Sequence, residues 1–185
     1  TKYEHSVAPF PGVPELLNLT DPELLKGVYR DYAAAGSQVV YANTFGANGL
    51  KLARTGYSPS EVIEAAVSVA REAVSETGTL VALDVGPLGE LLEPMGSLPF
   101  EKAYGYFREM AEAGAAAGAD LAVVETMTDL QEARAALLAV KESTDLPVFV
   151  TMSFDETGRT FTGCTVASMA RTLEGLGADA VGLSC

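Results

Sequence analysis

The stretch LAVVETMTDLQEARAALLAVKE (121–142) decides the fold class, because it joins a buried strand to a helix. Its first seven residues form an apolar run whose polar members gather at the C-terminal end, which is typical of a strand covered on both faces. Thr128 and Gln131 have the spacing of a capping box, and the helical pattern that follows continues to about Glu142. The stretch therefore predicts one strand and helix unit of an α/β fold.

The same pattern recurs along the rest of the chain. Apolar runs of similar build predict strands near residues 38–45, 80–86, 121–127, 147–153 and 180–185. The intervening patterns predict helices at about 20–32, 58–75, 100–118, 128–142 and 166–177. This alternation implies parallel strands with right-handed crossovers, in either a (β/α)₈ barrel or a doubly wound open sheet. No strand is followed by GxGxxG, which argues against a Rossmann domain.

Three of the predicted helices begin with explicit start signals. Capping boxes are predicted at 20–23, 58–61 and 128–131, where a threonine or serine precedes glutamate or glutamine by three positions. Pro22 and Pro59 favour the first helical position of the first two helices.

Length and composition indicate one globular domain. The 185 residues are 48% apolar and 20% charged, and 25 acidic against 12 basic side chains give a net charge of −13. Such a charge disfavours nucleic acid and anionic lipid as partners. No segment has the roughly 18 uninterrupted apolar residues of a membrane span, and the N-terminal segment lacks the pattern of a signal peptide. Two cysteines do not make a disulfide framework, so a reducing cytoplasm is the expected location.

Polar side chains stand at the C-terminal ends of the predicted strands. In parallel α/β proteins these ends meet at the edge that carries the active site, so we expect the polar side chains in one mouth. They are Asn43, Thr44, Asp84, Glu125, Ser153 and Cys185.

Three of these residues allow both a functional and a structural interpretation. Glu125 ends a run that should be buried, where a carboxylate needs a cation or several donors. It is predicted either to anchor a substrate ammonium group, which its position favours, or to act as a structural acid. Thr44 and its neighbouring amides could hold a carboxylate, or simply begin a loop. Asp84 is either a supporting acid or a helix cap, and the structural role is favoured.

The cysteines bear on a metal site. Zinc prefers thiolate and imidazole and needs at least three protein ligands. Cys185 has the position of a ligand, but Cys164 is predicted to be a small buried hydrophobe, and nothing places the single histidine, His5, near Cys185. The residues of this chain therefore predict an incomplete ligand set.

Six motifs, in this order, resemble the homocysteine S-methyltransferase family. They are PELLNLTDPELL (14–25), ANTFGAN (42–48), DVGPLGELL (84–92), LAVVETMTDLQEARAAL (121–137), FDETGRTFTGCT (154–165) and AVGLSC (180–185). The resemblance covers nearly the whole chain as one partial domain, 1–185. It implies a TIM barrel of which strands two to six of eight are present, so an open, incomplete barrel is expected.

The resemblance also implies a binding site. Glu125 matches the acid that binds the amino group of homocysteine, and Thr44, with Asn43 in the same motif, matches the segment that holds its carboxylate. Cys185 matches the first of three cysteine ligands to zinc, and the other two form a Cys-Cys pair further on. Ser184 and Leu88 stand where the family usually has asparagine and threonine.

The implied activity is transfer of a methyl group to the zinc-bound thiolate of homocysteine to give methionine, by this chain or by an enzyme of which it is a fragment. The methyl donor is not defined by these residues, and cobalamin on another module is one candidate, of the methionine synthase type. Missing barrel segments, other modules or a second copy are the expected partners. The alternative is an inactive barrel remnant that serves as a binding or assembly module.

Overall fold

Five parallel strands form the central sheet of the computed structural model, which describes residues 12–184. They are β1 (Val39–Tyr41), β2 (Leu80–Val85), β3 (Leu121–Met127), β4 (Val148–Ser153) and β5 (Ala180–Ser184). Each strand pairs in parallel with the next one along the chain. All five lie where the apolar runs predicted them, although β1 is shorter than its run because the chain leaves the ladder after Tyr41.

Helices precede and connect these strands. They are α1 (Leu17–Thr20), α2 (Pro22–Ala34), α3 (Gly49–Leu52), α4 (Pro59–Val74), α5 (Phe100–Ala116), α6 (Leu130–Ser143) and α7 (Val166–Gly175), and a 3₁₀ turn, Pro14–Leu16, leads into α1. The five longer helices were predicted, whereas the one-turn helices α1 and α3 were not. Among the described residues, no helix is long and apolar enough to span a membrane.

The strand order separates the two predicted architectures. The order β1-β2-β3-β4-β5 follows the sequence without reversal, so every crossover steps in the same direction across the sheet. Right-handed crossovers that all step one way place their helices on one face, and α4 packs between α2 and α5, with α6 beyond. A doubly wound sheet reverses its order at a switch point. The arrangement is that of consecutive units of a (β/α)₈ barrel, as predicted.

The main core lies between the sheet and the helices. Alternate strand residues such as Leu83, Val124 and Val150 point into it, where Phe107 and Met110 of α5 are also buried. The opposite face of the sheet carries a small second cluster, which is formed by Ala82, Leu121 and Val123. Strands that are apolar on both faces explain why the sequence showed continuous runs instead of alternation.

One predicted capping box is confirmed and two are wrong. At α4, Ser58 accepts a hydrogen bond from the Glu61 amide while the Glu61 side chain accepts one from the Ser58 amide. At α2 and α6 the N-caps are instead Asp21 and Asp129, one residue after the predicted threonines. In both helices the carboxylate directly before the first helical residue accepts an amide hydrogen bond. Thr20 is instead the last residue of α1.

Helix α5 approaches β2 closely at a glycine. A Cβ atom on Gly114 would lie 2.7 Å from Cδ2 of Leu83, which belongs to the strand that carries Asp84. Gly105 on the same helix faces open space, with nothing within 4 Å of such an atom. The two glycines therefore differ in packing although both lie inside one helix.

We expect opposite effects of alanine at these two positions. Gly114→Ala should lower the free energy of unfolding by about 1–3 kcal/mol, because the added methyl overpacks the contact with Leu83. Gly105→Ala should raise it by about 0.5–1 kcal/mol, because alanine favours the helix. Urea unfolding followed by circular dichroism measures both, and a stabilising Gly114→Ala would contradict the close approach.

Candidate functional site

A buried threonine fastens the loop after β1 to the end of β2. The Thr44 hydroxyl donates to the backbone oxygen of Asp84 at 2.7 Å and accepts from the Asp84 amide at 3.0 Å. Its side chain is fully buried. Thr44 thus continues the contact between the two chain segments beyond the point where the β1 ladder ends, and its hydroxyl is engaged by the backbone of Asp84.

Asn43 links the same loop to the segment that precedes α2. Its side-chain amide donates to the Pro14 carbonyl at 2.9 Å, and its backbone amide donates to the Tyr29 hydroxyl at 3.0 Å. The side-chain amide of Asn18 donates a hydrogen bond to the backbone carbonyl of Asn43 at 2.8 Å. These bonds hold the 14–18 segment against the loop.

Glu15 is a site residue that the sequence analysis did not identify. It is buried, and its Oε1 accepts a hydrogen bond from the Gly46 amide at 2.6 Å. A Cβ atom on Gly46 would lie 2.5 Å from this oxygen, so the glycine allows the carboxylate to approach the backbone. The available signal was an acid inside the apolar PELLNL segment, since such an acid needs a donor when it is buried.

Asp84 and Glu125 form the acidic centre of the site. They stand at the C-terminal ends of the neighbouring strands β2 and β3, and Asp84 is only 8% exposed. Burial, and then the negative charges of Glu125 and Glu15, raise the pKa of Asp84 to about 8. Burial also raises the pKa of the half-buried Glu125. The pKa of Tyr41 on β1 is raised by burial and by the negative charges of Glu125 and Asp84.

The described residues give this mouth no compensating cation. No lysine or arginine within 12–184 forms an ion pair with Asp84, Glu125 or Glu15. In the same part of the chain, Oδ1 of Asp84 is buried without a hydrogen-bond partner. A site of this kind attracts a cationic group that also donates hydrogen bonds.

A β-bulge interrupts β3 at Glu125 and Thr126. Val124 pairs with Val150 and Met127 with Met152, so β3 contains one extra residue at this point. Thr126 has a φ of 60°, and it is the single residue other than glycine with a positive φ within residues 12–184. A β-branched residue in this conformation costs about 1–3 kcal/mol, and such strain is often found at functional sites.

A second buried acid orders the loop after β2. Glu132 accepts a hydrogen bond from the Leu88 amide at 2.7 Å, and burial raises the pKa of Glu132 to about 7 against the opposing effect of that bond. In the same loop, a Cβ atom on Gly86 would lie 2.5 Å from the ring of Phe45. The loop after β2 is therefore shaped by contacts with α6 and with the loop after β1.

The predicted metal ligand, Cys185, and the single histidine, His5, lie outside the described residues. Cys164 packs against the core but is only partly buried, whereas a buried side chain was predicted, and burial raises the pKa of its thiol. Within residues 12–184 there is no group of three or more His, Cys, Asp or Glu side chains that could hold a metal ion. The described donors thus do not form a zinc shell.

The fold is that of an incomplete α/β barrel with acidic side chains at the C-terminal ends of its strands. Residues 4–185 match the family model described as homocysteine S-methyltransferase, and the chain belongs to this family.

Two curated relatives are methionine synthases. The chain is 29% identical to that of Mycobacterium tuberculosis and 30% identical to that of Mycobacterium leprae, each over 186 residues and 94% of the chain. It spans only 16% and 15%, respectively, of the length of these proteins.

Solved structures share the fold. The metallated form of the Escherichia coli homocysteine methyltransferase MmuM superimposes with a TM-score of 0.83 at 23% identity, covering 98% of this chain and 71% of MmuM. The apo form of MmuM gives 0.73 at 23% identity, covering 100% of this chain and 69% of that one. The carboxyl transferase domain of Rhizobium etli pyruvate carboxylase with pyruvate gives 0.54 at 17% identity, covering 86% of this chain and 23% of that chain.

The buried Asp84 carboxyl predicts a pH-dependent stability. Its folded-state pKa of about 8 lies above the unfolded value of about 3.9, so the folded protein keeps the proton longer. Stability should therefore fall as pH rises from about 4 to about 8, and the penalty is complete above that range. Asp84→Asn removes the ionisation. The free energy of unfolding of the variant should therefore exceed that of the parent by several kcal/mol at pH about 9, at about 1.4 kcal/mol per pKa unit, and by much less at pH about 5. Urea unfolding at both values measures this, and an equal difference at both would contradict it.

Proposed function

We propose that this chain is the homocysteine-binding part of a methyltransferase that transfers a methyl group to the sulfur of homocysteine and gives methionine. The observation that carries the proposal is Glu125, a desolvated carboxylate at the C-terminal end of β3 with no ion pair among the described residues. Membership of the homocysteine S-methyltransferase family supports the choice of substrate.

Glu125 binds the ammonium group of homocysteine in this proposal. An ammonium carries three donors and a positive charge, which offsets the desolvation that raises the pKa of Glu125. Asp84 lies close enough to add its charge to the same mouth, and its unpartnered oxygen faces no donor from residues 12–184. A bound cation lowers the pKa of both acids, so binding is coupled to release of the proton that Asp84 holds near neutral pH.

In this proposal, Thr44 and Asn43 position the loop that holds the substrate carboxylate. The Thr44 hydroxyl is engaged with both backbone groups of Asp84, and the Asn43 side chain with Pro14. Their contribution is therefore to fix the loop, so that its amides stand at a constant distance from Glu125. Such rigid support is what places an amino acid reproducibly in a site.

We propose Cys185 as one thiolate ligand of a zinc ion. The described residues do not supply the other ligands, which the family resemblance places in a Cys-Cys pair further on. In this proposal, residues 12–184 take no part in the chemistry of the metal.

We also propose that this chain is one module of a longer protein. The chain matches a small part of two methionine synthases, which supports a module of a longer protein that receives its methyl group from elsewhere. A cobalamin-carrying module is the candidate donor, and the cytoplasm is the proposed location.

A binding or assembly module without catalytic activity is the second candidate. The exposed apolar side chains on the sheet favour it, because such side chains mark contact surfaces. They include Tyr41, Phe149 and Leu183, of which Leu183 is 60% exposed. Homocysteine binding separates the two candidates.

Calorimetry with the 185-residue chain tests the role of Glu125. Homocysteine should bind more tightly than 4-mercaptobutanoate, which has the thiol and carboxylate but lacks the amino group. Glu125→Gln should weaken homocysteine binding about 10–100-fold, because a hydrogen bond to a charged group contributes about 1.5–3 kcal/mol. The same substitution should leave the affinity for 4-mercaptobutanoate unchanged.

Glu174→Gln is the matched control, because it removes one charge from an exposed position on α7. It should not alter either affinity. Equal affinities of the parent chain for the two ligands would contradict the proposed function.

Metal analysis tests the role of Cys185. The 185-residue chain should hold well under one zinc ion, since structural and catalytic zinc needs about three or four protein ligands. A chain extended through the Cys-Cys pair should hold about one, and Cys185→Ser in the extended chain should remove it. Tight stoichiometric zinc on the 185-residue chain would instead mean that Cys185 finds its partners within residues 1–184.

A further inference from the structure

The bulge in β3 places two residues opposite one. Val124 pairs with Val150 and Met127 with Met152, so Glu125 and Thr126 together stand opposite the single residue Thr151 of β4. An extra residue of this kind bends the strand and changes the direction of the side chains beside it. The direction of Glu125 therefore depends on what holds the bulge.

Thr126 requires such an anchor. Its φ of 60° is a conformation that glycine adopts readily and that a β-branched residue rarely adopts. A strained residue of this kind persists only when its surroundings fix it. The contacts of its backbone amide identify the surroundings that do so.

Two hydroxyl groups accept hydrogen bonds from the Thr126 amide. The N–H donates to Oγ of Ser184 at 3.2 Å and, more weakly, to Oγ1 of Thr151 at 3.4 Å. The Ser184 hydroxyl in turn donates to Oγ1 of Thr151 at 3.0 Å, which closes a three-membered network across β3, β4 and β5. The bulge is thus held by side chains of two other strands.

Gly182 gives Thr151 the room to point this way. Thr151 pairs with Gly182 in the sheet register, and a Cβ atom on Gly182 would lie 3.3 Å from the Thr151 methyl group. The methyl occupies the space above the glycine, which leaves the hydroxyl directed toward Thr126 and Ser184.

We propose that Ser184 and Thr151 are positioning residues for substrate binding: their hydroxyl groups hold Thr126 in its left-handed conformation and thereby direct Glu125 into the mouth of the barrel. The role of Glu125 toward homocysteine rests on the proposed function, whereas the anchoring of Thr126 does not. The two parts are therefore tested with separate measurements.

Amide hydrogen exchange tests the anchor. Ser184→Ala and Thr151→Val each remove one hydroxyl at nearly constant volume, and each should speed exchange of the Thr126 amide by about tenfold or more relative to other β3 amides. Thr151→Ser keeps its hydroxyl and should preserve protection. Ser168→Ala removes an exposed hydroxyl on α7 and is the control. Unchanged exchange at Thr126 in both hydroxyl-free variants would overturn the proposal.

Ligand binding tests the consequence for Glu125. Ser184→Ala should weaken homocysteine binding about tenfold through misplacement of the carboxylate, and leave 4-mercaptobutanoate binding unchanged. Addition of Thr126→Gly to Ser184→Ala should restore most of the loss, because glycine needs no anchor at this φ. An equal loss for both ligands, or no rescue by glycine, would show a merely structural role and overturn the proposal.

A third measurement separates this proposal from the proposed function. If the parent chain binds no homocysteine, the proposed function fails, and the pKa of the Glu125 carboxyl by ¹³C NMR still reports its position. Burial raises that pKa in the parent, beside Asp84 and Tyr41, and Ser184→Ala should return it toward the ordinary value. An unchanged Glu125 titration would overturn the positioning role.

Discussion

Parallel strands in unbroken sequence order are the constraint on which the rest of this structure depends. Because every strand runs the same way, all the backbone segments that leave the sheet at its carboxyl end enter loops at one edge. Polar residues far apart in sequence, such as Glu15, Asp84 and Glu125, are brought together there. The helices cover one face of the sheet, and the apolar core between helices and sheet supports this edge.

The acids at this edge are stabilised by different means. Glu15 and Glu132 each accept a hydrogen bond from a backbone amide, whereas Asp84 has a buried oxygen without a partner among the described residues, and burial raises the pKa of Asp84 to about 8. A carboxyl that is buried without donors or cations favours its neutral form. Asp84 and Glu125 have no ion pair among the described residues, while the donor-bound acids Glu15 and Glu132 hold the loops.

Local sequence was sufficient where local physics decides the outcome. The apolar runs located all five strands, and the Ser58 capping box formed as predicted because both of its hydrogen bonds lie within one turn. The boxes at Thr20 and Thr128 were wrong because the aspartate that follows each threonine is the N-cap and accepts an amide hydrogen bond in its place. Choosing between these caps requires the geometry of the preceding segment, which the pattern does not contain.

By itself, the sequence determined the parallel α/β class and the strand-end positions of Asp84 and Glu125, since burial and periodicity follow from residue order. The tertiary structure alone decided that the order is that of a barrel, that Glu15 reaches the Gly46 amide, and that Thr126 is left-handed. Each of these depends on partners distant in the chain. The Thr126 amide, for example, meets hydroxyls 25 and 58 positions further on, and no local preference of threonine predicts that conformation.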